Sequence, residues 1–126
     1  MAMPATLSEA SLTAAERRAL ERWVERLREA LGDELDSVWL YGSRARGEPP
    51  HEESDVDLLV LVRDPKRIRH HELVGLMWDA QQEAGALGTY FSIKVYDREW
   101  LEGRREIRSF FIQEVDRDKI VLAGDP

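Results

Sequence analysis

The sequence predicts an α/β (α+β) domain, a small mixed β-sheet flanked by helices. Three observations carry that expectation. Helical apolar spacing follows residue 12 and returns after residue 66. Three short runs, "SVWLYG", "DVDLLVLV" and "TYFSIKVY", have strand character. Their order, α-β-β-α-β-α, interleaves strands with helices, so the strands must share a sheet that the helices cover. The chain has 126 residues, 43% hydrophobic and 34% charged. That length suits one domain, and the composition supports a core rather than a disordered chain. Residues 1–11 read as a flexible N-terminal tail and residues 12–126 as a single domain.

The elements follow in order. Thr13 with Glu16 three residues later is a capping-box signature, and Gly32 supplies the stop of the first helix. Leu20, Trp23, Val24, Leu27 and Leu31 recur at helical spacing and define its buried face. "SVWLYG" and "DVDLLVLV" are strands, the second closed by Asp64-Pro65. A helix is expected from Lys66 to about Ala84, with Leu73, Leu76, Met77 and Ala80 inward. "TYFSIKVY" is the third strand. Asp97 caps a short helix at "DREWLEG", a last helix covers about 106–115, and "KIVLAG" adds a final strand.

Composition also excludes several classes. The longest unbroken apolar run covers residues 58–62, far short of the roughly 20 residues a spanning helix needs, so no membrane partner is expected. The N-terminus has neither a basic segment nor an apolar h-region, so it is not read as a secretory signal. The absence of cysteine removes disulfides and thiolate metal sites and suits a cytoplasmic location. A net charge of −7 argues against wholesale coating of nucleic acid.

The chemistry concentrates in "YGSRARGEPPHEESDVDLLV". Residues two apart on a strand share a face, so Asp55 and Asp57 point one way while Val56, Leu58 and Val60 point the other. Two adjacent carboxylates repel unless a cation lies between them. Mg²⁺ suits the pair, being hard, oxygen-seeking and usually held by one or two carboxylates plus substrate phosphates. A lone Asp-x-Asp is a weak signal, more often a solvated strand edge. The upstream pair strengthens it. Gly42 lets backbone and ligand approach closely, and Ser43 offers a hydroxyl and an N–H to a phosphate. A helical turn at "RARG" would present its N-terminus to that anion. Arg44 is expected to add a charge-assisted bond to the nucleotide, and Arg46 is read as a solvated loop arginine. No Gly-Lys-Ser/Thr follows, so this is not a Walker loop. The two strands should be neighbours in a mixed sheet, bringing Ser43 opposite Asp55.

The stretch "GSRARGEPPHEESDVDLLV" resembles the signature of the minimal nucleotidyltransferases (MNT) of the DNA polymerase β-like superfamily: Gly-Ser, about ten residues, then Asp-x-Asp. Here eleven residues separate Ser43 from Asp55. The strand, helix and strand that follow, and the C-terminal "SFFIQEVDRDKIVLAG", match the family's order. The resemblance implies the polymerase β-like palm fold. It implies transfer of a nucleoside monophosphate from a Mg²⁺-NTP, ATP first, to a hydroxyl, with release of pyrophosphate. Asp55 and Asp57 would be the catalytic residues and hold Mg²⁺, and Gly42 and Ser43 would grip the β- and γ-phosphates. It also implies a partner: a HEPN-domain protein, the toxin of a toxin–antitoxin pair, which can be adenylylated on tyrosine. A second copy of the chain is kept open as another partner.

One departure matters. The family commonly places a third carboxylate on a later strand, for the metal that activates the acceptor. The corresponding strand here is "TYFSIKVY", with Ser92, Lys94 and Tyr96 on one face and Phe91, Ile93 and Val95 on the other. Asp97 suits a helix cap better than a metal. NTP binding with slow or partner-dependent transfer is therefore expected, and the alternative is an inactive antitoxin or binding module that neutralises the HEPN partner. Restoring an acid at Ser92 or Lys94 is the corresponding probe. The remaining signals read as structural: His70-His71 as a solvated helix start, His51 as an exposed loop residue, Trp23, Trp39, Trp78 and Trp100 as core, and "GRREIRSFF" as a charged helix start over a buried Phe110 and Phe111.

Overall fold

The computed structural model describes residues 7–50 and 55–126. Helix α1 (Ala14–Leu31) forms because both halves of the predicted capping box close. The Glu16 N–H donates to Thr13 Oγ1 at 3.1 Å, and the Thr13 N–H donates to Glu16 Oε1 at 2.8 Å. Its buried face carries Leu20, Trp23, Val24 and Leu27, as the spacing predicts. Strand β1 (Leu35–Tyr41), the single helical turn α2 (Gly42–Ala45) and strand β2 (Val56–Val62) follow. Then come α3 (His70–Ala84), β3 (Phe91–Tyr96), α4 (Arg98–Glu106), α5 (Phe110–Asp118) and β4 (Ile120–Gly124).

The sheet order is β3-β2-β1-β4, with β2 parallel to β3 and β1 antiparallel to both β2 and β4. It is mixed, and β1 and β2 are neighbours, as the sequence requires. One face packs Val38, Leu40, Leu58 and Val60 against α1 and α3. The opposite face packs Trp39, Tyr41, Leu59 and Leu61 against Leu101 of α4 and Ile112 and Val115 of α5. Both faces are covered, which is why β2 reads as a continuous apolar run rather than an alternating one.

Several boundaries differ from the sequence reading. Pro65 opens a 3₁₀ turn (Pro65–Arg67) capped by Asp64, whose side chain accepts from the Lys66 N–H at 3.1 Å. Ile68 and Arg69 are then extended, so α3 begins at His70 rather than Lys66. The last two helices divide later than expected: Arg108 adopts a φ of 52°, and Ser109 caps α5 by accepting from the Ile112 N–H at 3.2 Å. Adjacent helical residues diverge by about 100°, and only one of the Phe110/Phe111 pair can face inward. Phe111 packs on the core while Phe110 is 86% exposed. Trp78 is likewise turned outward, 56% exposed, unlike Trp23 and Trp39. His70 is not merely solvated, since its Nε2 lies 2.7 Å from the Ile93 carbonyl oxygen.

The described part of the expected tail is docked. Leu7–Glu9 forms a 3₁₀ turn, Ala10 is buried, and the Ser11 N–H donates to the Arg44 carbonyl at 2.8 Å. The Arg17 guanidinium also donates to the carbonyls of Leu7 and Ala10. Residues 1–6 and His51 lie outside the described residues.

Candidate active site

The antiparallel register sets Tyr41, the last residue of β1, directly across from Asp57 of β2. The chain leaves β1 at Gly42, whose φ of 80° is a left-handed conformation that favours glycine. A second reason for glycine lies across the strand. A Cβ built on Gly42 would collide with the Asp57 carboxylate. The turn that carries Ser43 is thereby pressed against the acid that the sequence assigns to metal binding. Gly42, Ser43, Arg46 and Asp57 line one cleft of about 330 Å³, closed on its far side by Phe111, Glu114 and Asp118 of α5.

Gly42→Ala therefore combines left-handed strain with a collision. It should destabilise the protein by about 1–3 kcal/mol, on the scale of a non-glycine residue held in a strained backbone conformation. It should also weaken nucleotide binding at least tenfold. Thermal melting and calorimetry of the variant check both.

Burial raises the pKa of Asp57, with Asp55 adding to the rise and Lys94 and Arg46 opposing it. The net effect is upward, because burial disfavours the charged form of Asp57 more than the nearby cations restore it. Asp55 precedes β2 by one residue, partly exposed like Asp57. Two oxygen-donor side chains fit a hard divalent cation whose other ligands are phosphate and water. Among the described residues no group of three or more acids or histidines is placed to hold a metal by itself.

Arg44 is not brought to the cleft. It is 7% exposed and donates to the Ser11 carbonyl and to Glu16 Oε1, each at 2.9 Å. Glu16, 3% exposed, also accepts from the Thr13 N–H and from the Thr89 hydroxyl at 2.6 Å. Burial pushes the Glu16 pKa up, but the bonds from Arg44, Thr13 and Thr89 outweigh it and hold the carboxyl below its ordinary value. Arg44 thus ties the phosphate-side turn to α1 and to the segment before it, and Glu16 in turn holds the loop entering β3. The arginine that reaches the cleft is Arg46, held by Glu48 and by Asp118, each at 3.0 Å. Helical spacing carries a signal for this. On a turn, residues three apart share a side, so Ser43 and Arg46 go together while Arg44 diverges.

On β3, Ser92 sits in register beside Asp57. Lys94 lies further along the same face and donates to the Tyr41 hydroxyl at 3.0 Å. Asp97 caps α4 by accepting from the Trp100 N–H at 2.8 Å, so it is occupied as a helix cap. No third carboxylate stands beside Asp55 and Asp57 on the neighbouring strand β3, as the sequence indicates.

A search of curated proteins returns no match to the chain. Among solved structures, a candidate nucleotidyltransferase from Sulfolobus solfataricus is 20% identical, with a TM-score of 0.50, over 88% of this chain and 84% of that one. A toxin–antitoxin complex with AMP-PNP is 22% identical, with a TM-score of 0.49, over 83% and 73%. A tri-AMPylated Shewanella oneidensis HEPN toxin with its MNT antitoxin is 19% identical, with a TM-score of 0.43, over 84% and 71%. The family model of the nucleotidyltransferase domain matches residues 20–121, which span β1, the Gly42-Ser43 turn, both aspartates and β3, and the chain belongs to that family.

Proposed function

We propose that the chain binds a Mg²⁺-NTP, ATP first, and transfers its nucleoside monophosphate to a hydroxyl of another molecule. The observation that carries this reading is the close approach of Gly42 to the Asp57 carboxylate, which leaves no room for a Cβ. It joins a phosphate-side turn and a metal-side strand in one cleft. In the reaction the acceptor oxygen bonds to the α-phosphorus and the bond from that phosphorus to the bridging oxygen breaks. Pyrophosphate leaves with the electron pair, and the acceptor's proton passes to solvent. Such a transfer needs in-line positioning and charge neutralisation more than covalent help from the protein. Ser43 and the backbone of its turn hold the terminal phosphates. Arg46 exchanges one of its carboxylate partners for phosphate oxygen. Asp55 and Asp57 would hold Mg²⁺, which when bound neutralises phosphate charge as a Lewis acid.

The proposed acceptor is a hydroxyl of a HEPN-domain partner, on the strength of the sequence resemblance. A second reading has its own support: Ser92 stands beside Asp57 where a third acid would be needed, which favours an antitoxin that binds its partner without efficient transfer. The test is transfer of label from α-labelled ATP, with and without the partner, by the wild type and by Asp57→Asn. Slow transfer by the wild type, faster with the partner and absent from Asp57→Asn, is the expected result. Intact ATP binding with no transfer in either setting would favour the second reading. Rapid transfer by the chain alone, unaffected by Asp97→Asn, would show that no third acid is required.

A further inference from the structure

Lys94 is the one lysine on β3, and it lines the pocket beside the cleft with Tyr96, Trp100 and Phe111, reaching the cleft wall through Tyr41. It donates to Tyr41 Oη at 3.0 Å and lies 5.8 Å from the Tyr41 ring centroid and 5.9 Å from that of Phe111. Tyr41 and Phe111 both line the cleft with Asp57. An ammonium group has only donors. The Tyr41 oxygen must therefore accept, and its own proton remains to be donated. Burial opposes the charge on Lys94, but Tyr41 and Asp57 outweigh it, so the ammonium is held in its charged form. Ser92 occupies the position beside Asp57 from which a carboxylate could recruit another cation, and a serine hydroxyl brings no negative charge to do so.

We propose that the Lys94 ammonium, with the Tyr41 hydroxyl it polarises, takes the electrostatic place of a second metal ion, so that the site loads a single divalent cation with its nucleotide. The proposal rests on the nucleotidyltransferase reading above and concerns how that site balances charge. A fixed cation and a divalent ion compete for the same small region, because like charges repel strongly where water is partly excluded. Lys94 therefore neutralises phosphate charge from beside the cleft, and the Tyr41 hydroxyl adds a hydrogen bond to the same anion. It follows that an acid restored at Ser92 alone would pair with Lys94 rather than bind a metal. Both positions must change to convert the site.

The experiment counts ions instead of turnover. Mn²⁺, used as a spectroscopic substitute for Mg²⁺, is titrated by electron paramagnetic resonance in the presence of a saturating non-hydrolysable ATP analogue. One bound Mn²⁺ per chain is expected for the wild type and two for Ser92→Asp/Lys94→Met. In parallel, calorimetry with metal-free tripolyphosphate should show about tenfold weaker binding in Lys94→Met, a smaller loss in Tyr41→Phe, and near-wild-type binding in Lys94→Arg. Two Mn²⁺ ions in the wild type would overturn the proposal. So would tripolyphosphate affinity unchanged in Lys94→Met and Tyr41→Phe, measured on variants whose circular dichroism matches the wild type. No nucleotide-dependent Mn²⁺ binding in the wild type would be a different failure, that of the nucleotidyltransferase reading itself, and the inference would fall with it.

Discussion

Replacing Asp55 and Asp57 together by asparagine abolishes Mg²⁺-dependent nucleotide binding and leaves the fold intact. At least a hundredfold loss is expected, or about 2.7 kcal/mol at roughly 1.4 kcal/mol per tenfold. The reason is specific to oxygen donors: an amide keeps the shape of a carboxylate but brings no charge to a hard cation. The fold survives because neither side chain holds the core together. Asp57 even carries a penalty in the folded protein. Burial raises its pKa, so the native state binds a proton more tightly than the unfolded chain does. Stability associated with Asp57 therefore falls as pH rises from the ordinary carboxylate range through the raised value. Asp57→Asn removes that penalty and should raise the melting temperature at neutral pH. In the unmodified protein, Mg²⁺ binding should weaken as pH falls through the raised value, because protonation removes a ligand. Calorimetry with and without Mg²⁺, alongside thermal melts, checks both. Equal nucleotide affinity in the double variant and the wild type would remove these residues from the site.

Arg44→Met is the substitution expected to cost the most stability. It leaves the buried Glu16 carboxylate of α1 without its ion-pair partner, and it removes the bond to the Ser11 carbonyl. Breaking one half of a buried pair typically costs about 3–5 kcal/mol, because the remaining charge is uncompensated. Removing both charges, in Glu16→Gln/Arg44→Met, should recover much of that loss. Denaturant unfolding of the two variants measures the difference. The double variant also separates two roles for Arg44. If the guanidinium ties the phosphate-side turn to α1 and touches no phosphate, the folded double variant binds ATP within about threefold of the wild type. A loss of tenfold (about 1.4 kcal/mol) or more in a well-folded double variant would return Arg44 to the nucleotide.

The sequence by itself determined the fold class and the order of the strands and helices, and it nominated the candidate site. Those features are local and periodic. The capping box at Thr13 and Glu16, the cap at Asp97 and the apolar runs of β1, β2 and β3 each report through spacing along the chain. The lack of an acid on β3 was legible for the same reason, since alternation on that strand assigns Ser92 and Lys94 to one face without any knowledge of what lies opposite. Tertiary structure decided which charged side chains reach the cleft. Arg44 and Arg46 are two residues apart on a short turn and look alike in sequence. One meets a buried Glu16 contributed by a helix nearly thirty residues away, at a separation of 28. The other meets Asp118 on α5, at a separation of 72. The same holds for Lys94, whose hydroxyl partner Tyr41 is brought to it by the packing of β1, β2 and β3. Local periodicity sets the direction in which a side chain points. Only the assembled sheet and its helices supply the opposite charge, hydroxyl or void that it finds there.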